Sequence, residues 1–349
     1  MAVGSPQKFA QGSVRMDILV SGSMAFDRIM DFSGRFVDHF AADRLDNINV
    51  SLMVNGLTEN LGGTAGNIAY ALSSLGEKPR ILACVGKDHQ SYFDWLGQHG
   101  ISTQDIRVLS EEWTASAYIT TDQDGNQFTA FNPGAMMHTS DIDLTSVTPA
   151  DTIAIVGPGN LQDMVDYPRR YQEAGIYAIF DPGQSLPAWN GPDLTQAIGR
   201  CKMLVSNDYE FGMITNTTGL DVAQLLGMVD TIVTTKGDAG CDIVTREGTV
   251  TVPVVPTPNA IDPTGAGDAF RGGLIKGLID AKPIQRCVEM GTVAAHYAEA
   301  TFLDLTQTRE AGDLRELLSA RADHAIVLGP GLGRGEAAAS LVADTLAAG

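Results

Sequence analysis

The run Asp262-Pro263-Thr264-Gly265-Ala266-Gly267-Asp268-Ala269-Phe270 decides how this chain reads. A helical pattern opens on it, with Phe270, Leu274, Ile275 and Leu278 on one side. The small residues Gly265, Ala266 and Gly267 let backbone N–H groups converge on one point, and a helix N-terminus adds its positive dipole there. Such an anion hole suits a phosphoryl group that gathers charge in its transition state. Asp268, in the first turn, stands where a carboxylate accepts a proton from an attacking hydroxyl. The plainer alternative is a Gly-rich loop with an Asp capping a helix. A bare Gly-x-Gly-Asp arises often by chance, whereas the full nine-residue string before an apolar helix is far rarer.

Upstream of the string, short apolar runs end in turns at Met16–Gly22, Arg80–Val85, Thr152–Val156, Ile176–Phe180, Met203–Val205 and Thr231–Thr234. Helical patterns lie between them, at Thr64–Leu75, Ser91–Gln98, Leu161–Ala174 and Val222–Val229. Strands alternating with helices predict βαβ units and a mostly parallel sheet. Two stretches break the rhythm. Phe26 to Glu59 has no clean helix and ends in a strand-like Val50–Val54. Ala115 to Phe131 reads as two strands around Asp122-Gln123-Asp124-Gly125-Asn126, a hairpin with Gly in its turn. Together they predict a small separate sheet inserted into the α/β body as a lid.

The chain has 349 residues, 44% of them hydrophobic, enough to bury a core and to exclude wholesale disorder. Its 42 acidic residues against 23 basic ones give a net charge of −19, which argues against a nucleic-acid partner and against an anionic membrane surface. No window approaches the roughly 18 apolar residues of a membrane span. Cys84, Cys201, Cys241 and Cys287 are scattered and form no Cys-x-x-Cys pair, which predicts buried thiols in a reducing, cytoplasmic setting. The six histidines show no His-Glu-x-x-His spacing, and no Gly-x-Ser-x-Gly elbow stands out.

The nine-residue string resembles the C-terminal signature of the ribokinase-like (PfkB) sugar and nucleoside kinases, and four other pieces match in that family's order. Asn60-Leu61-Gly62-Gly63-Thr64-Ala65-Gly66-Asn67 is similar to its N-terminal signature, where paired glycines and an Asn approach the substrate sugar. Gly22-Ser23-Met24-Ala25-Phe26-Asp27 resembles the end of its first strand, whose Asp holds sugar hydroxyls. Asn207-Asp208-Tyr209-Glu210 resembles the Asn-x-x-Glu element that organises magnesium and phosphates, and Thr235-Lys236-Gly237-Asp238-Ala239-Gly240 the nucleotide loop. The resemblance covers about Met16 to Leu318. It implies a three-layer α/β/α ribokinase-like body with a mostly parallel sheet and a small inserted β lid.

Taken alone, each piece has a bland alternative. Gly62-Gly63 permits close approach to a ligand, or only a turn before a helix. Asn67 bonds a hydroxyl or a neighbouring backbone group. Asp27 accepts two adjacent hydroxyls or is a solvated loop carboxylate. Glu210 is a hard oxygen ligand for magnesium or an ordinary helix-start acid. Thr235 to Gly240 is a nucleotide loop or a plain hairpin. Their shared order favours the functional reading.

The resemblance implies in-line phosphoryl transfer from ATP. Thr235, Gly237, Gly240 and Asn207 would contact the nucleotide, and Glu210 a magnesium ion. Asp27, Gly62, Gly63 and Asn67 would hold the acceptor, and Asp268 would be the base, with the amides of Gly265, Ala266 and Gly267 as the anion hole. Asp262 and Thr264 match positions that bind a monovalent cation such as K⁺ in some relatives; Pro263 departs from the commoner Thr. The runs Gly22–Phe32 and Asn60–Leu75 are most similar to bacterial adenosine-kinase-type members, which implies adenosine as acceptor, with Phe128, Phe131 and Met136 as candidates to pack on its base. Ribokinase or another sugar kinase is the alternative within the same class. A non-catalytic nucleoside-binding protein is a further one, weakened by the presence of Asp268 and Glu210. Relatives with such a lid occur as monomers or homodimers.

The ends of the chain read differently. Residues 1–15 are expected to be a loose leader, with the kinase domain spanning 16–318 and lid segments near 26–59 and 115–132. Residues 319–349 read as a βα extension. Its run Ala325-Ile326-Val327-Leu328-Gly329-Pro330-Gly331-Leu332-Gly333-Arg334-Gly335-Glu336 resembles a segment of the NAD(P)H-hydrate dehydratases, lyases of the same superfamily, which makes a lyase a further alternative against which Asp27, Gly62-Gly63 and the Asp262–Phe270 string favour the kinase.

Overall fold

The apolar runs become the parallel centre of a nine-stranded sheet. The structure is a computed structural model that describes residues 16–39, 50–254 and 265–300. The expected leader, the string's first residues Asp262, Pro263 and Thr264, part of the first lid segment and the C-terminal extension lie outside the described residues. In chain order the first half runs β1 (Asp17–Ser21), β2 (Ala25–Phe32), α1 (Phe36–His39), β3 (Val54–Gly62), α2 (Thr64–Ser74), β4 (Pro79–Gly86), α3 (Gln90–Gln98), β5 (Ile106–Leu109), β6 (Ala115–Thr121) and β7 (Gln127–Asn132). There follow β8 (Thr152–Val156), α4 (Leu161–Ala174), β9 (Tyr177–Phe180), α5 (Gly191–Gly199), β10 (Met203–Asn207), α6 (Asp208–Thr218) and α7 (Val222–Leu226). The chain then passes through β11 (Thr231–Thr235), β12 (Cys241–Thr245), β13 (Gly248–Val252), α8 (Ala266–Ile279) and α9 (Ile284–Ala300).

The large sheet has the order β13-β12-β11-β10-β9-β8-β1-β4-β5. Its strands are parallel from β11 to β5, and β12 and β13 close one edge as an antiparallel hairpin. Being covered on both faces, the strands are near-continuous apolar runs, and alternate residues serve opposite layers. Ile18 and Val20 pack with Ile68 and Leu72 of α2 and with Phe270, Leu274, Ile275 and Leu278 of α8. Leu19 packs on the other side with Tyr167 and Tyr171 of α4 and Leu194 and Ile198 of α5. This is the three-layer α/β/α body implied by the resemblance. All four cysteines are free and buried. Among the described residues no helix is long and apolar enough to cross a membrane.

A second, four-stranded sheet has the order β3-β2-β6-β7 and is the small inserted sheet. Its boundaries differ from expectation. Residues 51–53 are not in a strand; β3 starts at Val54 and continues to Gly62. That strand lies at an edge with six of its nine residues exposed, so its sequence carries no clean alternation to read. The unanticipated helix α1 is a single turn without a buried residue.

Helix α8 is rich in glycine, which weakens an isolated helix, yet here glycine admits its neighbours. A Cβ on Gly272 would stand 2.6 Å from the Cβ of Ala71, so α8 can lie directly on α2. That approach brings the start of α8 over Asn67.

Candidate active site

The parallel strands β1, β8, β9, β10 and β11 end at Ser21, Val156, Phe180, Asn207 and Thr235 along one edge of the sheet, where ligands of open α/β sheets bind. The start of α8 reaches the same edge. Gly265 takes φ +80°, a left-handed turn that glycine enters without strain, and α8 begins at Ala266. The leading amides of a helix have no intrahelical acceptor, and among the described residues those of the first turn here have no other partner, as suits an anion. Among the described residues no side chain caps α8. Asp268 is therefore not a capping residue. Its Oδ2 instead accepts a hydrogen bond from Asn67 Nδ2 at 2.8 Å.

Asp268 is half-buried, and its carboxyl is pushed up to about 6. Burial is the main cause. The Asn67 bond and the Arg271 charge pull it down, and Asp181 and Glu210 push it further up. A carboxylate with that balance is ionised near neutral pH while remaining basic enough to take a proton.

Asp27 lies on β2, paired with Asn60 of β3, while Ala25 pairs with Gly62. A Cβ on Gly62 would lie 2.6 Å from Asp27 Oδ2, so glycine there leaves room for the carboxylate. Gly63, at φ +95°, presses on the start of β2: a Cβ would stand 2.6 Å from the Ser23 carbonyl oxygen. Burial raises the Asp27 carboxyl above its usual range. Among the described residues no donor bonds that carboxylate, which leaves both oxygens for a ligand's hydroxyls. The Tyr92 hydroxyl, wholly buried in α3, donates to the Gly62 carbonyl at 2.8 Å and braces this segment from below.

Alternation along β7 puts two of the expected base-packing residues on opposite faces, and cross-strand register tells which one shares Asp27's. Phe131 is level with Ala117, which is level with Asp27, so Phe131 shares Asp27's face of the small sheet. Phe128 is level with Thr120 and Met30 and belongs to the opposite face. Met136 follows in a short turn and accepts a bond from Asn160 Nδ2 at 3.0 Å through its carbonyl oxygen.

Asn207 and Glu210 are brought together as a reciprocal cap on α6. The Glu210 N–H donates to Asn207 Oδ1 at 2.7 Å, and the Asn207 N–H donates to Glu210 Oε2 at 2.8 Å. The bland role is thus real, and it also aims Glu210 at the strand ends. Thr235 lies level with Asn207 on the next strand. The loop after it turns through Gly237 and Gly240 at φ +51° and +86°, and Lys236 Nζ is held by Asp242 at 2.7 Å. Among the described residues no group of three or more His, Cys, Asp or Glu could hold a metal ion. Glu210, with one oxygen beyond its cap bond, suits a hydrated divalent cation carried mostly by phosphates. Asp262 and Thr264 lie outside the described residues.

Two further residues of this edge escaped the sequence reading. Arg271 of α8 and Asp181, directly after β9, form a buried ion pair with Nε to Oδ2 at 2.5 Å and Nη2 to Oδ1 at 3.2 Å. A lone Arg within the apolar Ala269–Leu278 run was the available signal, together with an Asp ending an apolar strand.

Residues 23–299 match the sequence profile described as pfkB family carbohydrate kinase. The nucleoside kinase of Burkholderia thailandensis, solved in complex with inosine, is 38% identical; the match covers 81% of this chain and 90% of that one, with a TM-score of 0.71. The nucleoside kinase of Methanocaldococcus jannaschii is 28% identical over 269 residues, spanning 75% of this chain and 88% of its own length. Its solved structure gives a TM-score of 0.73 at 26% identity, covering 88% of this chain and 99% of that one. On these matches and the geometry of its strand ends, the chain belongs to the pfkB family of carbohydrate kinases, phosphotransferases with an alcohol group as acceptor.

Proposed function

We propose that this kinase is ATP-dependent and phosphorylates the hydroxymethyl group of a nucleoside, with adenosine as the acceptor. The observation that carries this reading is the meeting of Asn67 and Asp268 at the mouth of the open amides, in a chain 38% identical to a nucleoside kinase solved with inosine. Asp27 takes the ribose hydroxyls, and the face it shares with Phe131 meets the base. The acceptor's hydroxymethyl oxygen gives its proton to Asp268 Oδ and attacks the γ-phosphorus in line, as the bond from that phosphorus to ADP breaks. The amides of Gly265, Ala266 and Gly267 meet the charge on the transferring group. Asn207, Thr235, Gly237 and Gly240 hold the nucleotide. When bound, a divalent cation at Glu210 supplies neutralising charge to the phosphates. A monovalent cation at Asp262 and Thr264 belongs to the same proposal.

The test is ADP formation from ATP with adenosine, inosine, ribose and fructose 6-phosphate, with the product identified by mass. The expected product is a nucleoside 5′-monophosphate, adenosine reacting fastest. Far faster phosphorylation of a free sugar would replace this reading with that of a sugar kinase.

A further inference from the structure

Arg271 enters α8 one turn after Asp268, among Ala269, Phe270, Gly272 and Leu274. A guanidinium is costly to bury unless every donor finds a partner. Its side chain is 8% exposed and that of Asp181 2%. All three nitrogens are used. Nε and Nη2 grip the two Asp181 oxygens, and Nη1 donates to the Gly267 carbonyl oxygen at 2.9 Å. That carbonyl belongs to the same peptide unit as the N–H of Asp268. Asp181 is anchored in turn, its own N–H donating to the Val156 carbonyl at 2.9 Å. A continuous set of bonds therefore runs from the end of β8 to the peptide that carries Asp268. An apolar pair of similar volume would serve stability as well or better, so stability alone does not account for charges at this place.

We propose that Arg271 is a positioning residue of the phosphoryl-transfer site: clamped on Asp181, it holds the Gly267–Asp268 peptide and supplies positive charge against which Asp268 works. This rests on Asp268 being the base. The groups facing Asp268 are Arg271 from α8, Asp181 from the end of β9, Glu210 from α6, neutral Asn67 from α2 and the Tyr92 hydroxyl from α3. Without Arg271, three carboxylates would face one another with their principal counter-charge gone, and Asp268 would ionise only at higher pH.

The test compares Arg271→Met, Arg271→Lys and Asp268→Asn in the full chain, each checked by circular dichroism. Arg271→Met is expected to lower kcat about tenfold or more and to move the acidic limb of kcat/KM up by roughly half a pH unit or more, with the acceptor KM changed less than about threefold. Arg271→Lys keeps the charge and loses the fork. Its acidic limb should stay at the wild-type position while kcat falls about tenfold. A folded Arg271→Met with wild-type kcat and an unmoved limb overturns the proposal. If Arg271→Met does not fold, wild-type kcat in Arg271→Lys overturns it instead. An inactive Asp268→Asn beside such a result confines the failure to Arg271; an active Asp268→Asn removes the base itself, and the proposal with it.

Discussion

Asn67 Nδ2 lies 2.8 Å from Asp268 Oδ2, joining α2 to α8 across 201 residues of sequence. The bond ties the segment beside Asp27 to the first turn of α8, so the proposed acceptor side and phosphoryl side are held in one geometry. Asn67, expected from the sequence to face the acceptor, spends one donor on Asp268, the proposed base. Asn67→Ala should lower kcat by about ten- to a hundredfold. Because the bond favours the ionised carboxylate, the acidic limb of the kcat/KM profile should also move to higher pH. Steady-state kinetics between pH 5 and about 9 would show both effects.

Burying Asp268 costs folding stability at neutral pH. Its folded carboxyl is raised from 3.8 to about 6, so the proton is bound more tightly in the folded chain. The stabilising contribution is therefore fully present below the unfolded value and is lost as pH rises through the folded one. Asp268→Asn removes that loss. Its Tm should exceed the wild-type Tm by a few degrees at pH 7.5, and the gap should shrink towards pH 4, as followed by scanning calorimetry.

Among the described residues no donor bonds the Asp27 carboxylate, which lies on β2 beside Gly62 of β3. Asp27→Ala should lower kcat/KM for the nucleoside by about a hundredfold while leaving the KM for ATP within about threefold. Initial rates with each substrate varied in turn separate the two effects.

Gly63 cannot carry a side chain for two reasons, its φ of +95° and the Ser23 carbonyl 2.6 Å from where a Cβ would stand. Gly63→Ala should cost about 2 kcal/mol or more. Gly56, at φ +68° with nothing within 4 Å of its Cβ position, is the control. Gly56→Ala should cost only about 1 kcal/mol. Urea unfolding of both variants gives the comparison.

The opening of α8 was legible because its chemistry is local: small residues, a carboxylate and an apolar helical face follow one another within one stretch. The parallel strands were legible for the same reason, each being a short apolar run buried on both faces. Strand β3 was not, since an exposed edge strand has no buried face to impose alternation. Which of Phe128 and Phe131 shares Asp27's face depends on register across three strands. The Asn67–Asp268 bond depends on α8 lying against α2, which Gly272 permits by its contact with Ala71. Arg271 and Asp181 stand 90 residues apart, and each reads in isolation as an oddity of charge in an apolar setting.

The measurement closest to the central claim is the single-turnover rate of Asp268→Asn with saturating ATP and adenosine, set beside the wild-type pH profile. If Asp268 is the base, wild-type kcat/KM rises about tenfold per pH unit below about 6 and levels above it. At about pH 7.5 the folded Asn variant should then lose about a thousandfold in rate, and its residual rate should not fall further as pH drops below about 6. A folded Asp268→Asn enzyme that transfers phosphate at the wild-type rate would contradict the account.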